Sequence, residues 1–207
     1  MLTRRLKLLF VVLFSGSLVA CGASRPVRYY VIDPGPAPAS ASGAPLPVTL
    51  LVARVTGASI YRDDRVVYGS GPVQLGLHEY ERWASPPAEM MQDLLVASLR
   101  SSGQYRAISR VSTNVKGDYV VRGHLVALDE VDKPDLVGRF SFQLELFDPK
   151  TSSVVWMDSY THDEPVSGNP KKSTVADVVE ALDRNVHTGL NQLTASMGQY
   201  LAAHATQ

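Results

Sequence analysis

Between positions 136 and 147 large apolar residues alternate with polar ones: Phe140, Phe142, Leu144 and Leu146 against Arg139, Ser141, Gln143 and Glu145. A period of two belongs to a strand with one buried and one solvated face. Asp148-Pro149-Lys150-Thr151-Ser152 follows with hairpin-turn chemistry, so Val154 to Thr161 returns as an antiparallel partner. Upstream, residues 119–131 form another strand, with Val121, Gly123, Leu125 and Ala127 on one side and Val120, Arg122, His124 and Val126 on the other. A three-strand meander therefore organises the chain, and its apolar face needs a covering layer.

Two amphipathic stretches supply that layer. In residues 86–102, Met90, Met91, Leu94, Leu95 and Leu99 recur at helical spacing, with Ser85 as the expected cap, Pro86 at the first helical position and Gly103 as the stop. Residues 175–203 carry a longer stripe through Val178, Leu182, Val186, Leu190, Leu193, Met197 and Leu201. Thr174 and Asp177 resemble a capping box, and Gly189 and Gly198 mark places where this helix is expected to kink or fray. Shorter strands are expected at 27–32, 48–55, 65–68 and 105–111, and a polar excursion at 57–64. The predicted fold is one α/β (α+β) domain: a mixed, largely antiparallel sheet with two main helices packed on it.

The first 20 residues stand outside that domain. Arg4, Arg5 and Lys7 precede an apolar run from Leu8 to Leu18, and Leu18-Val19-Ala20-Cys21-Gly22 closes it with small residues and the chain's only cysteine. The run is well short of the ~20 residues that span a bilayer. Its pattern is that of a lipoprotein signal peptide, with cleavage before Cys21 and acylation of its thiol. The expected cofactor content is none beyond a covalent diacylglycerol and an N-acyl lipid on Cys21. Many buried methylenes, at ~0.8 kcal/mol each, make such an anchor effectively permanent. An acylated Cys21 leaves no thiol for an internal disulfide, so stability must come from packing. Residues 21–28 then form a lipidated tether. Eight steps separate Cys21 from Tyr29, at most ~3.3–3.6 Å each, which confines the domain to about 30 Å from its anchor. Without Arg4, Arg5 and Lys7, 17 basic residues face 20 acidic ones, and nothing points to nucleic acid.

The remaining residues offer little for catalysis. Gly69-Ser70-Gly71 lacks the spacing of a nucleophile elbow. His162-Asp163-Glu164, His78-Glu79 and Asp63-Asp64 place neighbours side by side, and neighbours in an extended segment point to opposite faces. His124 and His187 lack partners at metal-ligand spacing. No metal site and no catalytic residues are predicted. Tyr80-Glu81-Arg82-Trp83-Ala84-Ser85-Pro86 is the most distinctive internal stretch, with two readings. Trp83 either fixes the angle at which the next helix starts, or Tyr80, Arg82 and Trp83 present a partner-binding surface.

The order of these segments resembles a known family. A lipobox, Tyr29-Tyr30-Val31-Ile32, an apolar strand, Val66-Val67-Tyr68, and Tyr80-Glu81-Arg82-Trp83-Ala84 leading into Leu94, Leu95 and Leu99 are similar to the ABC-type transport auxiliary lipoproteins, which include paraquat-inducible protein C-like lipoproteins. The long Pro/Ala/Ser loop at 34–47 departs from that pattern. The resemblance implies an auxiliary-lipoprotein domain over 29–203, followed by a tail at 204–207. It also implies a non-enzymatic role: an outer-membrane lipoprotein facing the periplasm, with the inner membrane as the alternative. Its implied partners are an MCE-domain conduit and an ABC permease/ATPase in intermembrane lipid transport, with assembly into a homo-oligomeric ring a further expectation. A different class of function is a periplasmic lipoprotein that holds an apolar ligand between helices and sheet.

Overall fold

The computed structural model describes residues 25–35, 44–69, 73–112, 114–168 and 172–204. The signal segment, Cys21, residues 36–43, Ser70-Gly71-Pro72 and the last three residues lie outside it. Among the described residues nine strands form one mixed sheet. Its spine is β7 (Tyr119–Val131). One edge of β7 pairs antiparallel along its length with β8 (Val137–Asp148), which pairs antiparallel with β9 (Ser153–Pro165). The expected meander is present, and β9 runs past Thr161. Lys150 N donates to Asp148 Oδ1 across the turn at 2.7 Å.

The other edge of β7 is shared in succession by β2 (Leu46–Val52), β3 (Thr56–Gly57) and β4 (Arg65–Gly69), all parallel to it. Outside β2 lies β6 (Tyr105–Arg110), parallel. Outside β4 lies β5 (Leu75–Trp83), antiparallel, and outside β5 lies β1 (Arg28–Tyr30), parallel. The helices α1 (Pro87–Ser101) and α2 (Val175–His204) touch each other and cover one face of this sheet. Phe140, Phe142, Leu144 and Leu146 are fully buried beneath them, as the alternation requires.

Three local expectations change. Pro87, not Pro86, is the first residue of α1; Pro86 occupies the cap position with ψ 137°, and no side chain caps the helix. Ser85 is one residue too early, because the residue before a proline is pushed out of the helical region and Pro86 is itself followed by Pro87. The second change is in α2, which runs unbroken through both glycines. A Cβ on Gly189 would lie 2.5 Å from Tyr160 Cδ1 and 2.9 Å from Phe140 Cε1. A Cβ on Gly198 would lie 2.7 Å from Gln104 Oε1. These glycines let the helix approach its neighbours, and tertiary packing outweighs their ~1 kcal/mol propensity penalty. The start of α2 is as expected: Thr174 N and Thr174 Oγ1 both donate to Asp177 Oδ2, at 2.6 and 2.9 Å. Those bonds hold the Asp177 carboxyl below its ordinary value.

The third change lies in β7. The register passes from Leu125 opposite Phe142 to Ala127 opposite Ser141, so a β-bulge at Val126 reverses the alternation. Ala127 therefore leaves the face of Leu125, and Leu128, opposite Phe140, joins the core. Asp129 is turned to the face without helices, opposite Arg139. There it meets Tyr61, from the 3-10 turn Ser59–Arg62. The segment expected as a polar excursion thus buries an aromatic ring, with Tyr61 only 2% exposed.

Candidate functional site

The distinctive stretch at 80–83 ends strand β5, and β1 lies beside it at the margin of the sheet. Parallel pairing sets Arg28 opposite Glu81, Tyr29 opposite Arg82 and Tyr30 opposite Trp83. Strand alternation then separates two sets of side chains. Arg28, Tyr30, Glu81 and Trp83 share the helix-covered face and Tyr29 and Arg82 the other; the strand is irregular between Leu77 and Arg82, and Tyr80 lines a cleft beside them.

On the covered face Trp83 is fully buried. Its backbone N–H donates to the Asp64 carbonyl at 2.6 Å, and Ala84 N donates to the Tyr30 carbonyl at 2.8 Å. Both bonds fasten the chain just before α1 begins. Trp83 fits the reading in which it fixes how that helix starts, since its ring has no surface to offer a partner. Its indole N–H is buried without a hydrogen-bond partner among the described residues. Glu81 is also buried, yet accepts a 2.7 Å bond from the Tyr30 hydroxyl and lies 3.7 Å from the Arg28 guanidinium. Burial, and then the Glu81 carboxylate, raise the Tyr30 hydroxyl above its ordinary value.

Beside these residues opens a cleft of about 440 Å³, lined among others by Arg25, Arg28, His78, Glu130 and Thr174. His78 Nε2 lies 3.0 Å from Glu130 Oε2. Of the three residues singled out from the sequence, Tyr80 and Arg82 reach the surface. Arg82 is ion-paired with Asp64, and the Arg25 guanidinium sits over the Tyr80 ring, 5.5 Å from its centroid. Cys21 is outside the described residues.

The acidic and histidine pairs are dispersed as extended geometry requires. Asp163 bonds Arg139, while its neighbours His162 and Glu164 lie 3.5 Å apart on the opposite side of β9. Asp63 bonds Arg65, and Asp64 bonds Arg82. His124 Nδ1 is 2.8 Å from Thr56 Oγ1, and His187 Nε2 is 2.6 Å from the Asp33 carbonyl. Among the described residues no group of three or more His, Cys, Asp or Glu side chains is placed to hold a metal.

Two polar constellations escape a reading by periodicity. The first is Asp129 with Tyr61, whose hydroxyl donates to Asp129 Oδ1 at 3.1 Å. Burial pushes the Asp129 carboxyl up to about 6, against the pull of the Tyr61 bond and the Arg139 charge. The second is Asn185, fully buried on α2. Its Nδ2 donates to the carbonyls of Gly138 and His162 at 2.9 and 2.8 Å, and its Oδ1 accepts from the Tyr160 hydroxyl at 2.9 Å. An Asn within an apolar helical stripe is the one signal that could have marked it.

Residues 30–197 match the family described as the ABC-type transport auxiliary lipoprotein component, and the chain belongs to that family. A crystal structure of a protein from Xanthomonas campestris is similar, with a TM-score of 0.74 at 17% identity, covering 87% of this chain and 100% of that one. A crystal structure of an uncharacterized protein gives a TM-score of 0.59 at 16% identity, covering 86% of this chain and 99% of that one. These likenesses establish the fold. No curated protein sequence matches the chain.

Proposed function

We propose that this transport auxiliary lipoprotein is held by lipid on Cys21 at the periplasmic face of the outer membrane. There it docks an MCE-type conduit whose lipid traffic is driven by an ABC permease and ATPase. The observation that carries the reading is the family match across residues 30–197, nearly the whole folded domain, directly after a lipobox. A folded docking body on a short tether suits a role in which position, rather than bond chemistry, is what the protein contributes. Gly22 after the cysteine, where an Asp commonly marks inner-membrane retention, favours the outer membrane.

Capture of an apolar ligand between helices and sheet is less well supported. That interface is occupied by side chains that are themselves fully buried, including Phe140, Phe142, Leu146, Leu182 and Met197. The cleft beside β1 and β5 mixes charged groups such as Arg25, Arg28, Glu79 and Glu130 with Leu136, Val175 and Val178.

Crosslinking in intact cells followed by purification tests the docking role. Recovery of an MCE-domain protein is the expected result, and its repeated absence from a preparation that retains the lipoprotein sinks the proposal. Cys21→Ala tests the anchor: the variant should leave the outer-membrane fraction, and unchanged fractionation overturns the lipidation.

A further inference from the structure

Strand β1 carries an apolar stripe on its uncovered side. Val27 is 42% exposed, Tyr29 66% and Val31 64%, while Tyr30 and Ile32 turn inward. The stripe has the period of two of the strand that bears it. β1 is also a sheet margin, since it pairs with β5 alone among the described strands. The register sets Tyr29 opposite Arg82, whose side chain turns to the same face, whereas the β5 irregularity between Leu77 and Arg82 leaves Tyr80, with the Arg25 guanidinium over its ring, at the cleft beside α2. Two carboxylates nearby, Asp63 and Asp64, are already bonded to Arg65 and Arg82.

We propose that the Val27-Tyr29-Val31 stripe rests on the phospholipid surface that holds the Cys21 anchor and so sets the orientation of the domain. This rests on the lipidation of Cys21 given above. Six steps along the chain lead from Cys21 to Val27, so the stripe is within about 20 Å of the anchor residue at full extension. No other strand of the domain is joined to Cys21 by so short a stretch of chain. The chemistry also fits a lipid interface. Aliphatic side chains enter the acyl boundary, and a tyrosine ring sits at headgroup depth with its hydroxyl in water. The acyl chains supply the affinity, so the stripe adds orientation, presenting the far margin of the sheet away from the membrane.

Full-length Tyr29→Trp protein, purified with its lipid, is reconstituted into vesicles of phosphatidylethanolamine and phosphatidylglycerol bearing bromine on the acyl chains. Met157→Trp serves as control: position 157 is 56% exposed on β9, five strand spacings or about 24 Å from β1. Emission is read as the difference from the unsubstituted chain. The expected result is a blue shift and a several-fold greater loss of emission at position 29 than at position 157. Solvent-like, unquenched emission at position 29 overturns the inference. A blue shift without bromolipid quenching overturns it too, because protein then covers the stripe. Mass spectrometry of the same sample reports the lipid on Cys21, so failure of the anchor is distinguished from failure of the orientation.

Discussion

The Tyr61 hydroxyl donates to the Asp129 carboxylate at 3.1 Å across the face of the sheet that bears no helices. Neither residue would meet the other without the bulge at Val126, which turns Asp129 out of the helix-covered layer. The bond satisfies two buried polar groups and leaves a carboxylate poorly solvated.

A pH dependence follows from that burial. The Asp129 carboxyl is raised from 3.8 to about 6, so between those values the folded chain holds a proton that the unfolded chain releases. Its favourable linkage is fully present below about pH 4 and is lost as pH rises through 6. The change is on the order of 2–3 kcal/mol. Asp129→Asn keeps an acceptor for Tyr61 and should flatten the loss of melting temperature between pH 4 and 6. An unchanged pH profile refutes the assignment. Asp163, held low by its bond from Arg139, acts at a different pH: its contribution is lost as pH falls below the ordinary carboxyl range.

Gly189→Ala tests whether close approach or flexibility selects the glycine. In an exposed helix the change would stabilise by about 1 kcal/mol. Here the new methyl would lie 2.5 Å from Tyr160 and 2.9 Å from Phe140. Overpacking costs about 1–3 kcal/mol, so chemical denaturation should show a net loss. A net gain would mean that the ring of Tyr160 moves aside without penalty.

Asn185 is the most demanding polar residue of the core. Asn185→Ala leaves the Gly138 and His162 carbonyls and the Tyr160 hydroxyl without this partner. At roughly 1–3 kcal/mol per buried orphan, the variant should lose at least about 3 kcal/mol. Equilibrium unfolding would check this; a loss under 1 kcal/mol would be too small for three such bonds.

Trp83 allows a graded comparison. Its indole N–H has no partner among the described residues, so Trp83→Phe removes volume but no hydrogen bond. The expected loss is about 1–2 kcal/mol, against about 3–5 for Trp83→Ala. Equal losses in the two variants would show that the nitrogen has a role that its buried position does not reveal.

Sequence periodicity was enough for much of the architecture. The meander, the span of each helix within one or two residues, the capping contact of Thr174 with Asp177 and the strand at Arg65 are local properties, set by alternation or by neighbours three residues apart. The lipobox and the order of short motifs likewise carried the family. The candidate site was only half legible. Tyr80, Arg82 and Trp83 stand close together in the chain, and only the placement of β1 and α1 shows that Trp83 enters the core while Arg82 turns to the other face and Tyr80 lines the cleft.

What the chain alone determined is therefore what depends on residues a few positions apart: strand period, helix stripe, turn chemistry and the lipidation signal. The tertiary structure decided what depends on distant partners. The bulge at Val126 answers to the register against β8, and Gly189 answers to a ring on β9. Val27, Tyr29 and Val31 form an exposed stripe because pairing with β5, 53 positions away in sequence, turns Tyr30 toward the helices and these three away from them. Alternation shows that a strand has two faces, but only pairing shows which of them the protein covers.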